Sequence, residues 1–177
     1  MAIDILGPLP ETETKNKYIM VVADYFTKWT EAYALPDQKS MTIADALVTN
    51  FIVRFGCPLQ LHTDQGPSFE ADLFQDICKL LGIHKTRTCP YRPNSDGLVE
   101  RFNRSVQDML AKLVNSDRTN WDDLLPYVMC AYRATPHEST GVTPNRMMLG
   151  RESDLPVDLV FGREVPDERD CHIDYVE

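Results

Sequence analysis

Apolar and polar positions follow two rhythms along this chain. Ala2–Leu6 and Tyr18–Ala23 are short runs, apolar but for Asp4, that read as buried strands. Gly7-Pro8-Leu9-Pro10 and the polar residues to Lys17 connect them. Thr30–Leu35 reads as a third strand, ended by Pro36-Asp37, so the first three form an antiparallel meander. From Ser40 the period changes. Ile43, Leu47, Phe51 and Phe55 recur every fourth residue with Val48 and Ile52 beside them, which predicts a helix stopped by Gly56 and Pro58. Next come a strand over 59–63 ending at Asp64, a helix over 69–81 with Leu73, Ile77 and Leu80 inward and Gly82 just past its end, and a strand over 83–88. The Pro-, Gly- and Asn-rich stretch 89–97 reads as a loop. A long helix over 98–114 carries an apolar stripe of Leu98, Phe102, Val106, Met109 and Leu113, with Glu100, Arg104, Gln107 and Ala111 on the other face. Asn120 is expected to cap a further helix whose first turn holds Asp122 and Asp123, where the helix dipole favours them. Thr143-Pro144 opens a short last helix. A meander followed by alternating helices and strands predicts an α/β three-layer fold, five strands flanked by helices.

Composition narrows the class. The 177 residues, 43% hydrophobic, suffice for one domain with a proper core. No apolar run approaches the ~18 residues of a spanning helix, and no basic, then apolar leader opens the chain, so neither a membrane span nor a secretory signal is expected. Five cysteines lie scattered without a CxxC pair, which argues against a zinc site or a disulfide framework. Cys57, Cys78 and Cys130, in apolar or helical surroundings, are expected to be buried thiols. The net charge of −9 argues against a protein that coats DNA. Its distribution softens that: residues 151–177 hold nine acidic residues against three arginines, leaving the body near balance and the end an acidic, extended arm.

Three carboxylates carry the candidate chemistry. Asp4 sits within an apolar strand, where a carboxylate is costly without a cation; the plain alternative is a surface residue near a frayed terminus, and Asp24 at the end of the second strand is its rival. Asp64 closes a strand before Gly66, facing the usual ligand crevice of an α/β sheet; an Asx-turn is an equally common use of such a residue. Glu100 lies on the polar side of its helix, where an ordinary ion pair with Arg104 at i+4 would also suit it. His62 shares the parity of Asp64, but a strand histidine is more often a packing residue than a ligand. Three converging carboxylates are what a pair of divalent ions needs for phosphodiester chemistry.

The motifs around these carboxylates resemble the DDE catalytic core of retroviral and retrotransposon integrases, most of all those of gypsy-type LTR elements. They are Leu61-His62-Thr63-Asp64-Gln65-Gly66 and, with 35 residues between Asp64 and Glu100, the string from Cys89-Pro90-Tyr91 through Asn94-Ser95-Asp96-Gly97 to Glu100-Arg101-Phe102-Asn103. Asp4-Ile5-Leu6-Gly7-Pro8-Leu9, Asp24-Tyr25-Phe26-Thr27-Lys28-Trp29, Ala131-Tyr132-Arg133, His137-Glu138-Ser139-Thr140-Gly141 and Leu159-Val160-Phe161-Gly162 extend the likeness over 1–163, leaving 164–177 as the acidic arm. The resemblance implies a ribonuclease H-like fold. It also implies a polynucleotidyl transferase or endonuclease that processes 3′ DNA ends and joins them to target DNA. Asp4, Asp64 and Glu100 would be its catalytic and metal-binding residues, holding two Mg2+ or Mn2+ ions, and Tyr91, Asn103, Arg104 and Gln107 its DNA contacts. A homo-oligomer acting on retroelement and target DNA is implied, in the nucleus after a cytoplasmic stage. The family's flanking modules would lie before Met1 and after Glu177, so an isolated core or a fragment is expected. A domesticated or decayed core that binds or assembles without integrating is the other reading.

Overall fold

The computed structural model describes residues 1–87 and 97–153, with side chains in the second stretch from Phe102 onward. Five strands form one mixed sheet in the order β3-β2-β1-β4-β5. β1 (Ala2–Leu6), β2 (Tyr18–Ala23) and β3 (Thr30–Leu35) are the antiparallel meander, with the expected bounds. β4 (Gln60–Thr63) adds parallel to β1, and β5 (His84–Arg87) parallel to β4. A parallel neighbour needs a crossover, and the helices after β3 and β4 supply it.

One face of the sheet is covered by α1 (Ser40–Ala46), a π-helical stretch (Leu47–Ile52), α2 (Val53–Phe55), α3 (Pro67–Glu70) and α4 (Asp72–Leu80). The fourfold spacing of Ile43, Leu47 and Phe51 is longer than an α-helical period and shorter than a π-helical one. Wide turns keep all three on the sheet, where each is buried. Ile3, Met20 and Val22 from the strands and Phe74 and Cys78 from α4 complete this core. The single helix expected over 69–81 is two. Ala71 takes an extended conformation (ψ 140°) that breaks it, and α4 restarts in a new phase. Phe74 and Cys78 therefore point inward, while Leu80, expected inside, is 84% exposed.

The other face is covered by α5 (Gly97–Leu113) and α6 (Trp121–Arg133), which pack Phe102, Val106, Leu110, Trp121, Leu125 and Met129 on Ile19 and Val21. Leu110 takes the core place expected of Leu113, which is 54% exposed: a 3.6-residue period carries the stripe from Val106 to Leu110 and past Leu113. Asn120 does not cap α6; its Oδ1 accepts from the backbone of Asn115 at 3.0 Å. Asp122 instead binds the β1–β2 connection, accepting from Thr12 (2.8 Å), Asn16 (2.9 Å) and Thr14. Burial alone would raise the Asp122 pKa, but these hydrogen bonds prevail and hold it below the usual aspartate value. α7 (Pro144–Leu149) opens as expected, with Thr143 Oγ1 accepting from the Arg146 N–H at 3.0 Å.

Two further residues depart from expectation. Cys57 and Cys130 are exposed, and only Cys78 of the three is buried. Glu31 is buried among β3, α6 and Trp29. It accepts from Arg133 (2.8 Å) and the Trp29 indole (3.1 Å), and the Arg133 guanidinium stacks over that ring at 4.7 Å. Among the described residues no helix is long and apolar enough to cross a membrane.

Candidate active site

Register places the first two carboxylates. Ile3 and Thr63 are Cα partners on the parallel strands β1 and β4. Asp4 and Asp64 each follow one residue later, so they come level where β4 ends. Ile3 points into the α1/α4 core, so the pleat turns Asp4 to the opposite face, beside its partner Val21 and under α5. There the Asn103 side-chain amide donates to Asp4 Oδ2 at 2.7 Å, and the Ile5 N–H donates to Oδ1 at 2.8 Å. The Asp4 bond sets the orientation of the Asn103 amide. Its Oδ1 is buried without a hydrogen-bond partner.

Asp64 is exposed and serves an Asx-turn as well, with Oδ1 accepting from the Gly66 N–H at 2.9 Å. A Cβ at Gly66 would lie 2.9 Å from that same oxygen, so a larger residue there would push the Asp64 carboxylate out of its turn. Asp24, the rival of Asp4, is taken up by its own turn: Oδ2 accepts from the Thr27 N–H at 2.9 Å and the Thr27 hydroxyl at 2.7 Å. His62 is a packing residue, with Nδ1 2.9 Å from Thr86 Oγ1 and its ring edge-on to Tyr25.

α5 carries the third carboxylate. Glu100 lies in its first turn, three positions before Asn103, a spacing that puts both backbone positions on one side of the helix. The side chain of Glu100, and Tyr91 altogether, lie outside the described residues. Arg104 and Gln107 are exposed on α5, and Gln107 borders a cavity closed by Leu6 and Leu110. Among the described residues no three His, Cys, Asp or Glu surround one point. The donors present are hard carboxylate oxygens beside an unpartnered amide oxygen, a set that suits Mg2+ or Mn2+ and not a soft metal. At the sheet edge Glu70 takes Lys85 at 2.7 Å and also pairs with Arg87, and the Lys85 hydrogen bond chiefly holds the Glu70 pKa low.

Asn103 was expected as a DNA contact; its reach to Asp4 was not legible beforehand. An asparagine one turn beyond a glutamate on a polar face gives no hint that it will reach a strand 99 residues earlier. Only the crossing of α5 over β1 brings the two together.

A mixed five-stranded sheet with Asp4 in β1 level with Asp64 just past β4, crossed by the helix that carries Glu100, has the ribonuclease H-like architecture. The integrase core domain family matches residues 1–93. Over 150 residues, 85% of the chain, it is 35% identical to the Gag-Pol polyprotein of avian reticuloendotheliosis virus. It is 28% identical over 88% of the chain to the retrovirus-related Pol polyprotein from transposon 412 of Drosophila melanogaster. The chain belongs to the integrase core domain family. It spans only 12% and 13% of those two polyproteins. Among solved structures, the catalytic core domain of BIV integrase is similar at TM-score 0.65 and 27% identity, covering 84% of this chain and 92% of that one. A chain of the simian T-cell lymphotropic virus intasome in complex with PP2A regulatory subunit B56 gamma gives 0.70 and 25%, covering 87% of this chain and 56% of that one. The expected fold and integrase-core resemblance are both borne out.

Proposed function

We propose that this chain is the catalytic core of a retroelement integrase, a metal-dependent polynucleotidyl transferase that trims 3′ DNA ends and joins them to target DNA. The observation that carries it is the level placement of Asp4, in β1, and Asp64, just past the end of the adjacent parallel β4, with α5, the helix of Glu100, hydrogen-bonded to Asp4 through Asn103. Asp4, Asp64 and Glu100 would hold two Mg2+ or Mn2+ ions. Bound there, the ions supply an activated water or DNA 3′-hydroxyl and stabilise the leaving oxygen. Asn103 keeps the Asp4 carboxylate in one rotamer facing α5. Arg104, exposed on that helix, presents its guanidinium to a backbone phosphate, with Tyr91 and Gln107 as further DNA contacts. HTLV-2 integrase, whose catalytic core is similar here in fold at TM-score 0.65 and 21% identity, was solved with magnesium in a trimeric form. A homo-oligomer on retroelement and target DNA, in the nucleus after a cytoplasmic stage, fits this reading.

The test incubates the full 177-residue chain with Mn2+ and a branched DNA joining intermediate. Resolution of the branch by the wild type, lost in Asp64→Asn and Glu100→Gln proteins that melt normally, is the expected result. Undiminished cutting by a Glu100→Gln protein would overturn the catalytic assignment and favour a domesticated core that binds or assembles DNA without integrating it.

A further inference from the structure

The seam between β1 and α5 has two ends. One holds the Asp4–Asn103 hydrogen bond. The other opens into a cavity of about 240 Å³ walled by Leu6, Leu9, Leu110, Val114 and Trp121. Such a volume takes one or two rings, since an engineered apolar cavity of roughly 150 Å³ already holds benzene. Among the described residues no acidic side chain lines it. The polar side chains at its border are Gln107 and Arg118, both exposed. The Trp121 indole is no free donor, because its N–H is held by the Pro10 carbonyl at 2.8 Å.

These walls are set before any ligand arrives. Asp122 ties the β1–β2 connection to the start of α6 through Thr12 and Asn16. The α5–α6 connection is closed by Asn115, which receives the Thr119 N–H on its side chain at 3.1 Å and the Arg118 N–H on its carbonyl at 3.1 Å. Arg118 itself takes a positive φ of 56°, which sets the direction of its Cα–Cβ bond. Among the described residues its guanidinium makes no ion pair.

We infer that this cavity binds a small apolar carboxylate, its one or two rings against Trp121 and Leu110 and its carboxylate on the Arg118 guanidinium. The apolar walls exclude a sugar or a bare phosphate, which would leave polar groups unpaired. The guanidinium selects an anion and suits the two oxygens of a carboxylate. None of the three candidate catalytic carboxylates borders the cavity, although Gln107, a candidate DNA contact, does.

The experiment is an NMR titration of the 15N-labelled full chain with indole-3-acetate, and with indole-3-ethanol as the neutral probe of matched shape. Saturable shifts are expected at the Trp121 indole N–H and at the Leu110 and Val114 amides, with the acid binding about tenfold tighter than the alcohol. Arg118→Gln should abolish that preference without stopping binding. Ala111→Phe, at an exposed position that fills the cavity, should stop both probes while the melting temperature holds; Val114→Phe is the second filling variant if the first fails to fold. Absence of saturable shifts at millimolar probe, equal affinity for acid and alcohol, or unchanged binding in a folded filling variant would each overturn the proposal.

Discussion

The two faces of the sheet are built from alternate residues of the same strands and have different duties. On the α1/α4 face Ile3, Met20 and Val22 meet Leu47, Phe51 and Phe74 in an apolar layer, and the buried Glu31, cross-strand partner of Val22, sits at its edge paired with Arg133 and Arg54. On the α5/α6 face Ile19 and Val21 are as deeply buried, but the next strand offers Asp4, and α5 answers with Asn103. One face serves packing. The other divides itself, with apolar packing over β2 and the candidate site over β1. A single helix serves both tasks: Phe102 packs against Tyr132 and the sheet while Asn103, the next residue, holds the carboxylate.

That division can be broken deliberately. The largest effect belongs to Asp64→Asn, which removes an exposed candidate metal ligand. Strand transfer should fall by roughly a hundredfold or more, about 3 kcal/mol of barrier, with the melt nearly unchanged. On the stability face, Phe74→Ala should cost about 3–5 kcal/mol in denaturant unfolding and leave the catalytic residues in place. The sharpest contrast lies along α5. Phe102→Ala should lose stability of that same order, whereas Asn103→Ala should cost about 1–2 kcal/mol and lower activity in the surviving folded protein by at least about tenfold.

Asp122→Ala should cost about 1–2 kcal/mol at pH 7, a value drawn from its hydrogen bonds and kept low because the group is largely solvated. Its folded pKa is depressed, so its contribution is complete above the ordinary aspartate pKa and fades as pH falls through the folded value. Urea melts of wild type and variant should begin to converge as pH falls below about 4, the ordinary aspartate value, and meet only below the folded pKa. The smallest effect is Leu80→Ala, within about 0.5 kcal/mol at an exposed position. A loss comparable to that of Phe74→Ala would mean that Leu80, not Phe74, faces the sheet.

Local pattern made much of this protein readable without a structure. The bounds of β1, β2 and β3 follow from apolar runs between breakers, because a strand's extent is set by its own residues and the turns beside them. The start of α7 follows from Thr143-Pro144 for the same reason. The motif spacing identified the integrase core and nominated Asp4, Asp64 and Glu100. What the chain could not reveal locally is phase and partnership. Leu80 and Leu113 are as apolar as Phe74 and Leu110. A break at Ala71 and the angular drift of α5 decided which of them met the sheet, and both depend on how helices seat against strands distant in sequence. Asn120 looks like a cap and Asn103 like a surface residue, because propensity records only neighbours along the chain. The level placement of Asp4 beside Asp64, and the reach of Asn103 to Asp4, come from strand register and helix crossing, which exist only once the whole sheet is paired and both its faces are covered.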